Sequence, residues 1–305
     1  MKPQQVQLVV VGSIGLDTVA TPSERRDEVL GGSVSYACAA ASFFVPVGMV
    51  GVVGADFPGA HVELYRHFNI DLQGLQRASG KTFRWSGVYD ADMNNRRTLL
   101  TELNVFGSFM PELPPAYRAA PYLFLANISP QLQLHVLGQA QAPRFVAADT
   151  MDLWINTARA PLMELIAAVD MLTLNESEAR LLSGETNLLR AARKIMGWGP
   201  DYLVIKKGEH GAMLFSGASI FIVPAFPLDA FRDPTGAGDS FAGGLMGALA
   251  EQGKMDGPSL RLAMAYGSVV ASFGVEDFSL DRLRALNRGE IEHRLRAFRE
   301  LIALG

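Results

Sequence analysis

Six short apolar runs punctuate the chain, at Val6–Val11, Val47–Val53, Tyr122–Asn127, Arg144–Asp149, Met171–Asn175 and Tyr202–Lys206, and longer stretches of helical pattern separate them. Runs this short and this uniformly apolar suit strands buried on both faces, which crossover helices join into a parallel sheet. The alternation predicts an α/β fold with a mostly parallel central sheet flanked by helices. Two stretches depart from it: Phe83–Tyr89 and Arg97–Leu103 alternate like the arms of a hairpin around the polar turn Asp92-Met93-Asn94-Asn95. The last third reads as helical, with closely spaced small residues over Ser259–Phe273 and an amphipathic pattern over Glu290–Leu304. No internal repeat or low-complexity linker is visible.

At 305 residues and 49% hydrophobic content the chain can bury a full α/β core. Its net charge of −4 argues against nucleic acid as a partner, because basic residues cluster no further than pairs such as Arg25-Arg26 and Arg96-Arg97. The single cysteine, Cys38, sits in an alanine-rich run and reads as a small buried hydrophobe in a reducing compartment. Residues 30–55 carry no charge and are long enough to span a bilayer. Pro46, Gly48, Gly51 and Gly54 would break such a helix, however, and a buried helix over Ser33–Phe44 followed by a strand over Val47–Val53 accounts for every apolar residue. Val6–Val11 is too short for a signal peptide and reads as the first strand, so a cytoplasmic protein without a membrane partner is expected.

Several familiar chemistries lack their motifs. Gly12-Ser13-Ile14-Gly15 follows a strand without the spacing a dinucleotide loop needs, and Gly80-Lys81-Thr82 precedes a strand pattern where a P-loop would open a helix. The five histidines show no zinc-like spacing, and no Gly-x-Ser-x-Gly elbow supports a hydrolase.

The stretch Asp233-Pro234-Thr235-Gly236-Ala237-Gly238-Asp239 carries more information, because it leads into an apolar helix expected over Ser240–Ala250. The first N–H groups of a helix lack partners and carry partial positive charge, so an anionic oxygen binds well there. Gly236 and Gly238 permit positive φ and let a phosphate approach the main chain. A carboxylate at Asp239 beside such an anion can accept a proton from a hydroxyl that attacks phosphorus. Taken alone, Asp239 would serve equally as a helix cap.

The wider pattern decides between these. Over all twelve positions, DPTGAGDSFAGG (Asp233–Gly244) resembles the C-terminal signature of the ribokinase-like, or PfkB, family of carbohydrate and nucleoside kinases. Gly31-Gly32-Ser33-Val34-Ser35 resembles that family's di-glycine turn, Asn175-Glu176-Ser177-Glu178 its Asn-x-x-Glu motif, and Lys206–Ala212 the strand-turn-strand lining its nucleotide pocket. The likeness spans residues 6–280. It implies a ribokinase-like three-layer fold in one domain over residues 1–305, with a small β-sheet lid formed by about 17–30 and 82–106.

The resemblance also implies an activity and its residues. An ATP-dependent kinase would transfer the γ-phosphate to a hydroxymethyl group of a sugar or sugar-like alcohol, with Mg2+. Asp239 would be the base, and Thr235 with the amides of Gly236, Ala237 and Gly238 the anion hole. Asp17, Gly31, Gly32, Tyr36 and Asn127 would join Asp239 at the acceptor, Tyr36 standing where the family usually has Asn and offering one hydroxyl on a bulky ring. Asn175, Lys207, Gly208 and Gly211 would line the nucleotide, and the Lys206-Lys207 pair leaves open which lysine faces the triphosphate. Glu178 would organise magnesium, largely through water. Asp233 would admit a monovalent cation such as K+, with Glu276 or Asp277 of the acidic loop Ser272–Phe278 placed to supplant or crowd it. A nucleoside kinase is the rival within the class, because Phe83, Trp85 and Phe106 can stack on a base, and a non-catalytic nucleotide- or sugar-binding regulator is the rival outside it. The exposed edge of the lid would invite a homodimer.

Overall fold

The computed structural model describes residues 5–91, 93 and 96–303. Of the expected turn, Asp92, Asn94 and Asn95 lie outside the described residues, as does Leu304 at the end of the last helix. The chain opens with β1 (Leu8–Val11), β2 (Gly15–Ala20), β3 (Arg25–Gly31), α1 (Ser33–Ala41), β4 (Val47–Val53), α2 (Gly59–His67) and β5 (Asp71–Arg77). It continues through β6 (Phe83–Tyr89), β7 (Arg96–Glu102), β8 (Tyr122–Leu125), α3 (Pro130–Leu137), β9 (Phe145–Asp149), α4 (Asp152–Thr157) and α5 (Arg159–Ala168). Then come β10 (Met171–Asn175), α6 (Glu176–Ser183), α7 (Leu188–Met196), β11 (Tyr202–Lys206), β12 (Ala212–Ser216) and β13 (Ser219–Val223). Four helices close the chain: α8 (Ala237–Gln252), α9 (Gly257–Gly274), α10 (Asp281–Ala285) and α11 (Arg288–Ile302).

Nine strands form one sheet in the order β13-β12-β11-β10-β9-β8-β1-β4-β5. It is parallel from β11 to β5; β12 runs antiparallel to β11, and β13, antiparallel to β12, returns to the common direction. The alternation within β1 shows the three layers: Leu8 and Val10 join the core under α1, α8, α9 and α11, while Val9 and Val11 join the core under α3, α5, α6 and α7. Strands covered on both faces must be apolar throughout, which is why the expected runs mark them. The edge strand β5 has no such signature in its sequence DLQGLQR because only Gly74 of it is fully buried. No helix among the described residues is long and apolar enough to cross a membrane.

A separate four-stranded sheet, ordered β3-β2-β6-β7, is built from strands that fall in and beside residues 17–30 and 82–106. Its outer pairs are antiparallel and its central pair, β2 with β6, is parallel. Val19 and Tyr89 of this sheet pack on Phe278, and the Ser279 hydroxyl donates to the Leu30 carbonyl at 2.5 Å. Arg232 ties the same two parts together, reaching Glu24 and Asp277 at 3.0 Å each.

Helix α8 begins three residues before the expected Ser240, because Gly236 at φ 74° makes the turn that starts it. Its position depends on two small faces. A Cβ on Gly243 would stand 2.2 Å from the Ala37 carbonyl oxygen, and one on Gly247 would stand 2.9 Å from Ala41, so α8 meets α1 backbone to backbone. Replacing Gly243 with Ala should therefore lower stability by about 1–3 kcal/mol through overpacking, read as a shift in the urea midpoint at unchanged m-value. An unshifted midpoint would show that α8 does not depend on this close approach.

Candidate active site

The C-terminal ends of the parallel strands gather the polar residues, as open α/β sheets do at their ligand crevices. Asp149 ends β9, Asn175 ends β10 and Lys206 ends β11, while β1 leads through residues 12–14 into Asp17. The N-terminus of α8 points at this edge. Its first bond runs from the Ser240 N–H to the Gly236 carbonyl at 2.8 Å, and the Ala237 N–H turns back to the Pro234 carbonyl at 3.1 Å. Among the described residues nothing takes the N–H of Gly236, Gly238 or Asp239, so of the expected amides of Gly236, Ala237 and Gly238 the one at Ala237 is already used, and Asp239 adds an open donor of its own. Thr235 is held from both sides, its N–H on the Asp233 carboxylate at 2.8 Å and its hydroxyl on Tyr89 of the lid at 3.0 Å.

Asp239 lies in the first turn of α8 and is half-buried. Burial pushes its carboxyl up to about 6, with Asp149 adding to the rise and Lys206 and Arg96 opposing it. Such a group is a usable base near neutral pH. Asp17 faces the same region from β2. Burial first, then the nearby Asp233, raises it to about 7, and its Oδ1, fully enclosed, has no hydrogen-bond partner among the described residues. The di-glycine turn explains itself here: a Cβ on Gly31 would stand 1.9 Å from Asp17 Oδ2, and Gly32 takes φ 92° with its Cβ position 2.3 Å from the Ser13 carbonyl oxygen.

Tyr36 does not turn away from the site. Its ring carbons stand 2.4–2.5 Å from where a Cβ on Gly236 would sit, so the ring lies flat against the turn that opens α8. Its hydroxyl is enclosed without a partner among the described residues, and burial first, then the nearby Asp233, Asp17, Tyr89 and Asp239, raises it well above the ordinary phenol value. Orphaned oxygens on Tyr36 and Asp17 are the polar atoms a bound hydroxyl would satisfy. Asn127 is less available, because its amide donates to Met151 Sδ at 3.1 Å and accepts from Trp154 Nε1 at 2.9 Å. Of the lid aromatics, Phe83 abuts Gly15 beside Asp17 and pairs with Phe106 at 5.5 Å, whereas Trp85 lies across Gly87 beneath Arg96.

On the opposite side, Asn175 and Glu178 form a capping box at the start of α6, with Glu178 Oε2 accepting from the Asn175 N–H at 2.7 Å. Burial lifts the Glu178 carboxyl to about 7, against the pull of Lys206. No cluster of three His, Cys, Asp or Glu among the described residues is arranged to hold a metal. A divalent ion at Glu178 would therefore draw most of its ligands from water and phosphate, which suits magnesium. Asp233 Oδ2 is enclosed and has no hydrogen-bond partner among the described residues, which leaves an oxygen that a monovalent cation could take. Glu276 and Asp277 do not crowd that place: Glu276 pairs with Arg282 and Arg294, and Asp277 pairs with Arg232.

Gly208 and Gly211, at φ 56° and 84°, shape the turn between β11 and β12, which the Lys207 N–H closes on the Gly211 carbonyl at 2.7 Å. Lys206 is the lysine that reaches inward, its Nζ 2.6 Å from Asp149 Oδ2. Asp149 and Arg96 are functional candidates that no motif marks. A charged residue ending an apolar strand is the one available signal for Asp149, and Arg96 shows itself only when the lid places its charge near Asp17 and Asp239.

The model of the pfkB family carbohydrate kinases matches residues 6–281. A cytidine kinase of Thermococcus kodakarensis is 32% identical over 249 residues, covering 79% of this chain and 87% of that protein. Among solved structures, a nucleoside kinase of Burkholderia thailandensis in complex with inosine superposes with a TM-score of 0.79 at 20% identity, covering 97% of this chain and 98% of the other. An Escherichia coli protein described as a putative ribokinase II, in complex with ATP and Mg2+, superposes at 0.75 with 18% identity, covering 96% and 99%.

The raised acids make a prediction about stability. Asp17 binds its proton up to about pH 7 when folded but only to about 3.8 at its ordinary value. Between those values the folded state holds the extra proton, so stability falls as pH rises, and the full penalty is present above pH 7. Asp17→Asn should therefore stabilise the ligand-free protein at pH 8, by on the order of 1–4 kcal/mol, and change little at pH 4. Urea unfolding at both pH values measures this, and equal effects at the two would contradict it.

Proposed function

This chain belongs to the pfkB family of carbohydrate kinases, and we propose that it transfers the γ-phosphoryl group of Mg-ATP to the hydroxymethyl group of a sugar ring, the ribose of a nucleoside being the favoured form. The observation that carries the reading is the half-buried Asp239 in the first turn of α8, beside the open amides of Gly238 and Asp239 and near Asp17 and Tyr36. Asp17 and Tyr36 would hold acceptor hydroxyls, and the Phe83–Phe106 pair beside Asp17 gives a base a surface to stack on. The cytidine kinase likeness supports the nucleoside form, while a free sugar would use the same polar atoms.

In the transfer itself, Asp239 accepts the proton of the attacking hydroxyl while the helix-terminal amides receive the charge that builds on the phosphoryl oxygens. When bound, magnesium neutralises the phosphates, and Glu178 would hold it through water. Asp233 would carry a potassium ion next to the anion-binding turn through its enclosed Oδ2. The whole chain would act as one catalytic unit with the small sheet as its lid, working in the cytoplasm without nucleic acid or membrane. Two such lids would pair along β7, an edge strand exposed at every residue, with Leu99 and Leu100 at 55% and 49%. Sedimentation at micromolar concentration should show a dimer, and a monomer there would remove the lid pairing.

ADP release with Mg-ATP across pentoses, hexoses, inositols and nucleosides tests the main reading. Turnover should depend on the acceptor, rise with pH through about 6 as Asp239 ionises, and fall about 10²- to 10⁴-fold in Asp239→Asn with ATP still bound. A silent panel despite ATP binding would favour the non-catalytic regulator. In the same panel Tyr36→Phe should cost the preferred acceptor about tenfold in kcat/KM, and Tyr36→Asn should reorder the acceptors. Uniform effects across the panel would place the Tyr36 hydroxyl away from the acceptor.

A further inference from the structure

The inference concerns Lys206 and rests on the kinase reading above. Lys206 ends β11 with its Nζ 2.6 Å from Asp149 Oδ2, both side chains largely enclosed at 17% and 4% exposure. The same Nζ lies 3.3 Å from where a Cβ on Gly238 would stand, so the ammonium faces the residue whose amide opens α8. Its charge also acts on Glu178 and Asp239. An ammonium has three donors, and Asp149 takes one of them. Among the described residues no other group accepts from it. A buried ion pair is poorly repaid in stability unless its remaining hydrogen-bonding positions are filled, and here they open onto the anion-binding end of the helix.

We propose that Lys206 donates directly to the γ-phosphoryl group of ATP over Gly238, and that Asp149 is the positioning residue that keeps the ammonium aimed there. Two cationic features then meet one phosphoryl group, the helix terminus through its amides and the lysine through a point charge. Asp149 also prevents Lys206 from pairing with Asp239, which leaves that carboxylate free as the base. Its own Oδ1 accepts from the Thr150 N–H at 2.9 Å, so its orientation is fixed from the backbone.

The test compares calorimetric binding of the magnesium complexes of β,γ-imido-ATP and ADP, so it needs no turnover. The native protein should prefer the triphosphate analogue. Lys206→Met should shrink that preference about 10- to 100-fold, the loss of one charge-assisted hydrogen bond, with ADP affinity kept within about twofold. Lys206→Arg should restore part of the preference, and Asp149→Asn should lose a smaller part of it. The double variant Lys206→Met with Asp149→Asn removes both members of the ion pair together and should reproduce the Lys206→Met result in a folded protein. An unchanged preference in both Met-containing variants, or equal losses for the two nucleotides, would overturn the assignment. Native protein that binds neither nucleotide would instead sink the kinase reading, and this inference with it.

Discussion

The seat of α8 against α1 is the constraint on which the site depends. Gly243 and Gly247 bring the two backbones together, and at the other end of the contact the Tyr36 ring of α1 lies flat on Gly236. Glycine at 236 thus answers two demands, a positive φ for the turn and room for an aromatic face. A helix held this closely presents its first amides at a fixed place relative to the ends of β9, β10 and β11. Preorganised donors of this kind need no rearrangement when charge develops on a phosphoryl group.

The same enclosure has an electrostatic consequence. Asp17 and Glu178 are buried and Asp239 is half-buried, and desolvation is the leading cause of the upward displacement of each. Lys206 opposes that displacement at Asp239 and Glu178, and Arg96 opposes it at Asp17 and Asp239. Acids placed together in low dielectric destabilise the empty protein, and a cation-bearing substrate relieves them. Fold and function are therefore in tension at one cluster, as they commonly are where activity needs a strained or charged site. The lid takes part in this balance, since Arg96 comes from β7 and Tyr89 of β6 holds the hydroxyl of Thr235.

Much of this was legible in the sequence where burial leaves a strong mark. Val47–Val53, Met171–Asn175, Tyr202–Lys206 and Phe83–Tyr89 begin and end where their patterns predicted. The edge strands β5 and β13 were less visible because one side of each meets solvent, so their residues need not be apolar. The helix after Ser33 stops at Ala41, short of the expected Phe44, because Phe43 and Phe44 belong to the turn that leads to Pro46. At the site, the glycine-rich turn and Asp239 declared themselves through their order in the chain. Which of Lys206 and Lys207 turns inward depended on the strand's orientation, and the direction of the Tyr36 ring on a contact 200 residues away in sequence, since its partner is Gly236. Asp149 belongs to no local pattern, and only the parallel register of β9 beside β10 and β11 brings it to Lys206.

The central claim is that phosphoryl transfer takes place at the N-terminus of α8 with Asp239 as the base. Diffraction from crystals grown with Mg-ADP, aluminium fluoride and a turned-over acceptor would examine it directly. The account predicts the fluoroaluminate against the amides of Gly238 and Asp239, with the Asp239 carboxylate within hydrogen-bond distance of the acceptor oxygen. A fluoroaluminate bound away from α8, or an acceptor oxygen addressed by another base, would contradict it.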